Sequence, residues 1–236
     1  MDNTNLNYTQ EQYGSVTVSK SFISGVFTWM GFALAVTAVV AYFFAADIQL
    51  MRLLFDNKGL TTLGYVVMFA PLGFVLLMSF GFQRLSAIVM TFLFIVFAVL
   101  MGMSISFIFW VYTMSSIFVT FGITAGMFGT MAIAGYTTKM DLTKFGSILI
   151  MAVVGIIIAL LVNVFMKSSQ LDYIISFIGV LVFTGLTAYD VQKLKRIGAG
   201  AYGAEDTRKL TIFGALSLYL DFINLFLFLL RFFGRK

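Results

Sequence analysis

Two aspartates stand inside segments that are otherwise apolar enough to lie in lipid. Asp221 is at the middle of SLYLDFINLFLFLLRFFG (residues 217–234), and Asp190 is in TGLTAYDVQKLKR (residues 184–196). A carboxylate at the centre of a membrane helix costs at least about 2.5 kcal/mol on insertion scales. This cost predicts that both side chains face a polar protein interior, where they serve a function.

Hydroxyl and amide side chains accompany each aspartate at helical spacing. Thr187 precedes Asp190 by one turn, and Ser217 and Asn224 flank Asp221 on its own helical face. We expect these side chains to orient and hydrate the carboxylates. The alternative is that the buried carboxylates are satisfied by such groups and only fix helix packing.

The two aspartates lie on consecutive segments that should form neighbouring antiparallel helices. At 1.5 Å per residue, Asp190 lies about 10 Å and Asp221 about 16 Å from the same membrane face, so the side chains can meet. Two carboxylates a few ångströms apart at low dielectric cannot both ionise cheaply, so they would share a proton. Since the chain has no histidine, proton-linked behaviour near neutral pH must come from carboxylates.

Arg84 is a third charge of interest. It lies in SFGFQRLSAI (residues 79–88), between the second and third apolar segments. This position is on the same predicted membrane side as the end of the sixth segment, so the guanidinium could extend toward Asp190 and form a charge pair. The equally weighted alternative is a boundary arginine that extends into the lipid headgroups.

The rest of the chain is a series of apolar segments. Its 236 residues are 61% hydrophobic and 11% charged, and about 20 apolar residues suffice to cross a bilayer. The composition predicts an all-α integral membrane protein, a seven-transmembrane-helix bundle whose last helix is central or, alternatively, re-entrant. We expect a polar tail at residues 1–21 and one transmembrane domain at residues 22–236. The predicted spans are residues 22–46, 60–82, two spans within 85–138, 145–166, 171–196 and 210–233.

The basic residues are unevenly divided between the two sides of this topology. The amino-terminal side holds nine: Lys20, Arg84, Lys139, Lys144, Lys193, Lys195, Arg196, Arg208 and Lys209. The other side holds six: Arg52, Lys58, Lys167, Arg231, Arg235 and Lys236. Because cytoplasmic loops are enriched in Lys and Arg, we predict a cytoplasmic amino terminus. The short tails and the lack of a signal-peptide pattern favour a bacterial inner membrane, with an internal eukaryotic membrane as the alternative.

Composition also bounds the ligands and partners. The absence of cysteine excludes disulfides and thiolate metal sites, and no cofactor is implied. The net charge of +5 comes from basic residues beside the spans, which points to a lipid bilayer rather than nucleic acid. Gly122, Gly126 and Gly129 form a small-residue face on the fourth span, which favours close helix packing over pore lining.

The segments around the two aspartates resemble the Bax inhibitor-1 family of membrane proteins. The resemblance is carried by T-x-Y-D-x-Q-K-L-K at residues 187–195 and by S-L-Y-L-D-F-I-N-L-F followed by L-L-R-F-F-G at residues 217–234. The stretch MGMSIS at residues 101–106 agrees with it. One departure is FAPLGFVLL at residues 69–77, which lacks the acidic residue that some relatives carry in the second helix.

The resemblance implies a seven-helix bundle that acts as a pH-sensitive calcium leak pathway, with eukaryotic relatives that counter cell death and lower stored calcium. In members of bacterial type, the two motif aspartates, here Asp190 and Asp221, form a pH-sensing dyad. An arginine before the third helix, here Arg84, pairs with the first aspartate.

The predicted role of calcium is that of a permeant ion or transient ligand. Calcium takes about six to eight oxygen ligands, and Asp190 and Asp221 with nearby hydroxyls, carbonyls and water give at best a transient site. Transient binding suits conduction, because the ion must also leave. Protonation would release Arg84 but would also remove ligands from the cation, so acid could either open or close the path.

Two rival functions come from other classes. An intramembrane aspartyl protease also uses a Tyr-Asp pair, as at Tyr189 and Asp190, but Asp221 lacks the G-x-G-D context and the proline-alanine-leucine signature is missing. We therefore expect no enzymatic activity. The second rival is a non-conducting regulator that binds other membrane proteins, for which the glycine face of the fourth span could serve.

Overall fold

The computed structural model describes the backbone of residues 3–57, 59–200 and 202–235, and the side chains of these residues from Lys20 onward. Two basic residues of the orientation count, Lys58 and Lys236, lie outside the described residues. The described elements are α1 (Asn3–Ala46), α2 (Ile48–Leu54), β1 (Phe55–Asp56), β2 (Gly59–Leu60), α3 (Thr62–Gly81), α4 (Ala87–Ile105), α5 (Ile108–Val111), α6 (Met114–Thr137), α7 (Thr143–Met166), α8 (Ser169–Gly198) and α9 (Ala204–Phe233). The two strands form one short antiparallel pair.

Within the described residues, seven helical segments are long and apolar enough to cross a bilayer. They are Lys20–Ala46, Thr62–Gly81, Ala87–Val111, Met114–Thr137, Thr143–Met166, Ser169–Gly198 and Ala204–Phe233. The all-α membrane fold expected from the composition is confirmed. Helix α1 begins at Asn3 and runs without a break through the segment predicted as a polar tail.

Hydroxyl side chains mark where three of the spans begin. Thr61, Ser86 and Thr113 are the N-caps of α3, α4 and α6, and each accepts a hydrogen bond from the backbone N–H three residues later. Such a cap satisfies one of the N–H groups that the first turn of a helix leaves unpaired. The helix starts are thus encoded locally, one residue before each apolar run.

Contacts divide the chain into two compact units, which we call unit 1 (Met1–Val111 and Gly198–Leu216) and unit 2 (Tyr112–Ile197 and Ser217–Lys236). Within unit 1, α1 packs against α4. The hydroxyl of Thr37 donates to the Ala98 carbonyl at 2.9 Å. A Cβ at Gly102 would lie 2.7 Å from the Thr37 carbonyl oxygen and 2.9 Å from Val40, so only glycine allows this approach.

Within unit 2, close packing uses other glycines than the sequence predicted. Gly135 lies against the Ala188 backbone, and Gly146 lies against the Tyr189 ring. A Cβ at Gly122, Gly126 or Gly129 would meet no described atom within 4 Å. The predicted glycine face therefore packs against no described part of the chain, because α6 buries a different face. That face consists of Ile117, Thr120, Thr124, Phe128, Ala132 and Gly135.

Helix α9 runs unbroken for 30 residues, or about 45 Å, which exceeds the hydrocarbon thickness. Of its most apolar 18-residue window, 72% is buried, compared with 6% to 50% for the other six spans. The last span is thus the one most enclosed by protein. The helix has no break inside Ala204–Phe233, whereas a re-entrant segment would need one.

Candidate functional site

The structure brings together the two residues that the sequence predicted would meet. The side chains of Asp190 on α8 and Asp221 on α9, both in unit 2, lie within hydrogen-bonding distance of each other. An ionised carboxylate can only accept hydrogen bonds. A hydrogen bond between the two groups therefore requires one shared proton.

Aromatic contacts fix how α8 and α9 run past each other in unit 2. Phe183 packs against Phe228 with ring centroids 5.8 Å apart, and Tyr173 stacks on Phe232 at 4.4 Å. Later residues of α8 therefore face earlier residues of α9, which is an antiparallel register. This register places Asp190 beside the turn of α9 that begins at Ser217.

Ser217 supports the aspartate on the other helix. Its hydroxyl donates to Oδ2 of Asp190 at 2.5 Å, whereas the sequence had placed it beside Asp221. The reason is depth: Asp221 lies about one turn deeper than Asp190, so the serine one turn before Asp221 is level with Asp190.

The two carboxyl groups differ in their surroundings. Asp190 is half-buried, but Asp221 is 5% exposed, and its Oδ2 atom has no hydrogen-bond partner among the described residues. The next residue, Phe222, packs edge to face with Phe121 and Phe128 of α6, with centroids 5.3 and 5.5 Å apart. Asp221 therefore presents one unsatisfied oxygen in the protein interior, beside a residue that packs on aromatic rings of α6.

Thr187 and Asn224 turn their hydrogen-bond donors toward their own helices. The Thr187 hydroxyl donates to the Phe183 carbonyl at 2.8 Å, and the Asn224 amide donates to the Leu220 carbonyl at 2.8 Å. Neither donor reaches a carboxylate, which corrects the prediction that these side chains orient the aspartates. The side-chain oxygens of both residues can still accept a hydrogen bond or bind a cation.

Arg84 lies exposed in the turn between α3 and α4, in unit 1. Its guanidinium makes no hydrogen bond or ion pair with a described residue, and its pairing with Asp190 stays a prediction. The same turn contains a contact that the sequence did not suggest. The Glu205 carboxylate accepts from the Ala87 N–H at 2.7 Å and so caps the first turn of α4.

The end of α8 that carries Asp190 is tied to the loop between α6 and α7. The buried Gln192 amide donates to the Met140 carbonyl at 2.7 Å, and its oxygen accepts from the Leu142 N–H at 2.9 Å. The Lys195 ammonium donates to the Tyr136 carbonyl at 2.7 Å. Polar residues at a helix end are common, so no pattern in the sequence marked these contacts.

An exposed ion pair adds to these contacts. We call the whole set, made by Gln192, Lys195 and Arg196 of α8, the loop clamp. Arg196 lies 2.6 Å from Oδ1 of Asp141, which also accepts from the backbone and hydroxyl of Thr143 at 3.0 and 2.6 Å. The hydrogen bond from Arg196, followed by those from Thr143, holds the pKa of Asp141 well below its usual range. The clamp is thus strongest when this carboxylate is charged.

The opposite end of unit 2 is held by a second set of contacts. Arg231 near the end of α9 pairs with Asp172 near the start of α8 at 3.3 Å. The backbone of Arg235 accepts from the Thr113 N–H at 3.1 Å and donates to the Ser116 hydroxyl at 2.8 Å. Burial raises the pKa of the adjacent Tyr112 hydroxyl, although the charge of Arg231 opposes the shift.

A resident metal centre would need more ligands than this site brings together. Within the residues that the structure describes, no group of three or more His, Cys, Asp or Glu side chains could hold a metal ion. Any cation at Asp190 and Asp221 would complete its shell with hydroxyl, carbonyl and water oxygens.

Comparison with known proteins gives a match along almost the whole chain. A family model described as "Inhibitor of apoptosis-promoting Bax1" matches residues 19–236. Inner membrane protein YbhL of Escherichia coli K12 is 48% identical over 219 residues, which is 92% of each chain. An uncharacterized protein of Borreliella burgdorferi is 41% identical over 232 residues, 98% of each chain. An uncharacterized membrane protein of Streptococcus pyogenes is 33% identical over 236 residues, 99% of each chain.

Proposed function

Because this chain belongs to the Bax inhibitor-1 family of membrane proteins, we propose that it is a pH-sensitive calcium leak channel gated by Asp190 and Asp221. The observation that carries the proposal is the contact between the two carboxyl groups inside unit 2. The inner membrane is the proposed location, as for the relative from Escherichia coli, and the amino terminus is proposed to be cytoplasmic.

The pH dependence follows from the proton that the pair shares. Loss of this proton leaves two negative charges at hydrogen-bonding distance, and gain of a second leaves none, so the pair titrates as one unit. Repulsion in the first case and loss of charge in the second would each change how α8 and α9 pack. The pair therefore couples the proton concentration to a helix contact.

The cation site would combine charge with neutral oxygens. Asp190 is half-buried, while Oδ2 of Asp221 is buried without a partner among the described residues. The side-chain oxygens of Thr187 and Asn224 remain acceptors, since both side chains act as donors in the hydrogen bonds within their own helices. Hard, oxygen-liganded cations such as calcium match this set. Arg84 remains the proposed charge partner of Asp190.

Calcium flux tests this proposal. The purified chain is reconstituted into liposomes that hold a calcium-sensitive dye, and the leak rate is measured from about pH 5 to about pH 9. We expect a rate above that of protein-free liposomes and dependent on pH. A rate equal to that of protein-free liposomes at every pH contradicts the channel.

A non-conducting regulator of other membrane proteins is the second candidate. The observation that favours it is the open face at Gly122, Gly126 and Gly129, which no described residue covers. Helices in membranes associate through such small-residue faces. The two candidates separate in the same liposomes, since a regulator without a conducting path gives no leak at any pH.

A further inference from the structure

Unit 1 contains a cavity of about 270 Å³ that the proposed calcium path does not use. It lies between α1, α4 and the first part of α9. Its apolar floor is formed by Ala87 and Ile212, which are 3% and 2% exposed. Its polar lining consists of Trp29, Thr91, Arg208 and Thr211.

The cavity lies beside the first turns of α4 and α9, where the predicted topology puts the lipid headgroups. Ala87 is the first residue of α4, and Arg208 is four residues after the start of α9, about 6 Å along the helix axis. Both helices begin on the same predicted membrane side. Trp29 fits this depth, because tryptophan is enriched at membrane interfaces.

Two donors in the cavity have no partner in the described chain. The Arg208 guanidinium makes no hydrogen bond or ion pair with a described residue, and neither does the Trp29 indole N–H. The nearby carboxylates are engaged elsewhere: Glu205 accepts from the Ala87 N–H at 2.7 Å, and Asp206 pairs with Lys209 at 3.8 Å. The cavity therefore offers a guanidinium whose N–H donors are free, while the charge of Glu205 is held at the first turn of α4.

The two threonines offer acceptors. The hydroxyl of Thr91 donates to the Ala87 carbonyl at 2.8 Å, and that of Thr211 donates to the Thr207 carbonyl at 2.7 Å. Because each hydroxyl has a single hydrogen, their oxygens remain free to accept from a ligand. Ile88, also in the lining, is 79% exposed and can contact an acyl chain.

We propose that this cavity binds the headgroup of an anionic phospholipid, with its phosphate on Arg208. Guanidinium and phosphate form charge-assisted, often bidentate, hydrogen bonds. The free acceptors of Thr91 and Thr211 suit a headgroup that carries hydroxyls, such as phosphatidylglycerol. Basic cavities between membrane helices are a common site for anionic headgroups.

The test measures which lipid the full chain retains. The purified protein is mixed in detergent with equal amounts of phosphatidylglycerol, phosphatidylethanolamine and phosphatidylcholine, and bound lipids are counted by native mass spectrometry. We expect wild type to retain phosphatidylglycerol about tenfold over the other two, because their headgroups carry an ammonium group that offsets the phosphate charge bound by Arg208. Arg208→Gln should abolish this preference, and Arg208→Lys should keep part of it.

Two further variants distinguish binding in this cavity from a general attraction of anionic lipid to basic residues. Lys144→Gln removes an exposed charge of the same sign at the start of α7, outside the cavity, and should leave the preference unchanged. Thr91→Phe fills the cavity with the charge of Arg208 in place and should lower retention of phosphatidylglycerol. Thermal unfolding of each variant confirms that it is folded.

Three results would overturn the proposal. They are equal retention of the three lipids by wild type, full preference in Arg208→Gln, and displacement of phosphatidylglycerol by inorganic phosphate alone. The last result would indicate a site for free anions. None of these readouts involves calcium. The lipid proposal can therefore be contradicted without contradicting the calcium channel, and the channel can be contradicted without contradicting the lipid proposal.

Discussion

At the residue scale, Asp221 is the least favourable side chain of the site. Its Oδ2 atom is buried and has no partner among the described residues. A buried polar group without a partner costs about 1–3 kcal/mol of folding free energy. A residue that weakens the fold in this way at the centre of a span is best explained by function.

This cost predicts that Asp221→Leu, which removes the buried carboxyl, raises the free energy of unfolding by about 1–3 kcal/mol. Most core substitutions act in the opposite direction. The measurement is thermal unfolding of the purified variant in detergent. Leu225→Ala, a cavity-forming change one turn further along α9, is the control and should lower the stability. A lower stability of Asp221→Leu would show that the carboxyl is needed for packing.

The two aspartates could be predicted from the sequence, but their hydrogen-bond partners could not. Asp190 and Asp221 stand out because a charge in an apolar run is costly wherever it lies. The donor to Asp190 is Ser217 on the neighbouring helix, and this follows from the register of two helices, which no local pattern encodes. Glu205 was missed for the same reason, since its target at Ala87 is 118 residues away.

At the scale of elements, α8 links the site to a loop. The buried Gln192 joins α8 to both Met140 and Leu142, and Arg196 adds the exposed ion pair with Asp141. A movement of α8 at Asp190 would therefore also move the loop between α6 and α7.

The loop clamp should weaken in acid. The pKa of Asp141 is lowered in the folded protein, so its ionised carboxylate stabilises the folded state. This stabilisation is present above the usual carboxyl pKa near pH 4, and it is lost as the pH falls from there toward the lowered pKa. A spin label at Met140→Cys, in a chain without other cysteines, reports loop mobility. We expect Asp141→Asn at neutral pH to have the mobility that wild type reaches only in acid.

The control for this measurement is Asp47→Asn, in which asparagine can still cap α2. Its label mobility should match that of wild type at every pH. Equal mobility of wild type and Asp141→Asn at neutral pH would show that the ion pair does not hold the loop.

Two glycines on α6 should respond in opposite ways to the same substitution. A Cβ at Gly135 would overlap the Ala188 backbone, which cannot move aside, so Gly135→Ala should lower the melting temperature. A Cβ at Gly126 would meet open space, so Gly126→Ala should raise stability by up to about 1 kcal/mol through helix propensity. Equal effects of the two changes in thermal unfolding would contradict the packing of α6 described here.

At the scale of the whole molecule, span number and order could be predicted because the length of an apolar run is a property of the sequence alone. The face that each helix buries could not be predicted, because the lipid-facing and the protein-facing sides of a membrane helix are both mostly apolar. The glycine face of α6 was expected to pack because small residues allow close helix contact, whereas Gly135 and Gly146 make close contacts in unit 2.

The orientation of the chain can be tested with single cysteines, since the sequence has none. A membrane-impermeant thiol reagent applied to intact cells should label Arg52→Cys and Arg235→Cys. It should label Lys20→Cys and Arg84→Cys only after the membrane is permeabilised. Labelling in the reverse pattern would contradict the positive-inside prediction, and protection of Arg235→Cys alone would contradict a spanning α9.

The most direct test of the account is the pH profile of calcium leak in three aspartate variants. Asp190→Asn and Asp221→Asn each remove one member of the pair, so each should flatten the pH dependence, and the double variant should be no flatter than either single one. Asp47→Asn should keep the profile of wild type. A wild-type profile in both Asp190→Asn and Asp221→Asn, with a leak above that of protein-free liposomes, would contradict gating by the aspartate pair.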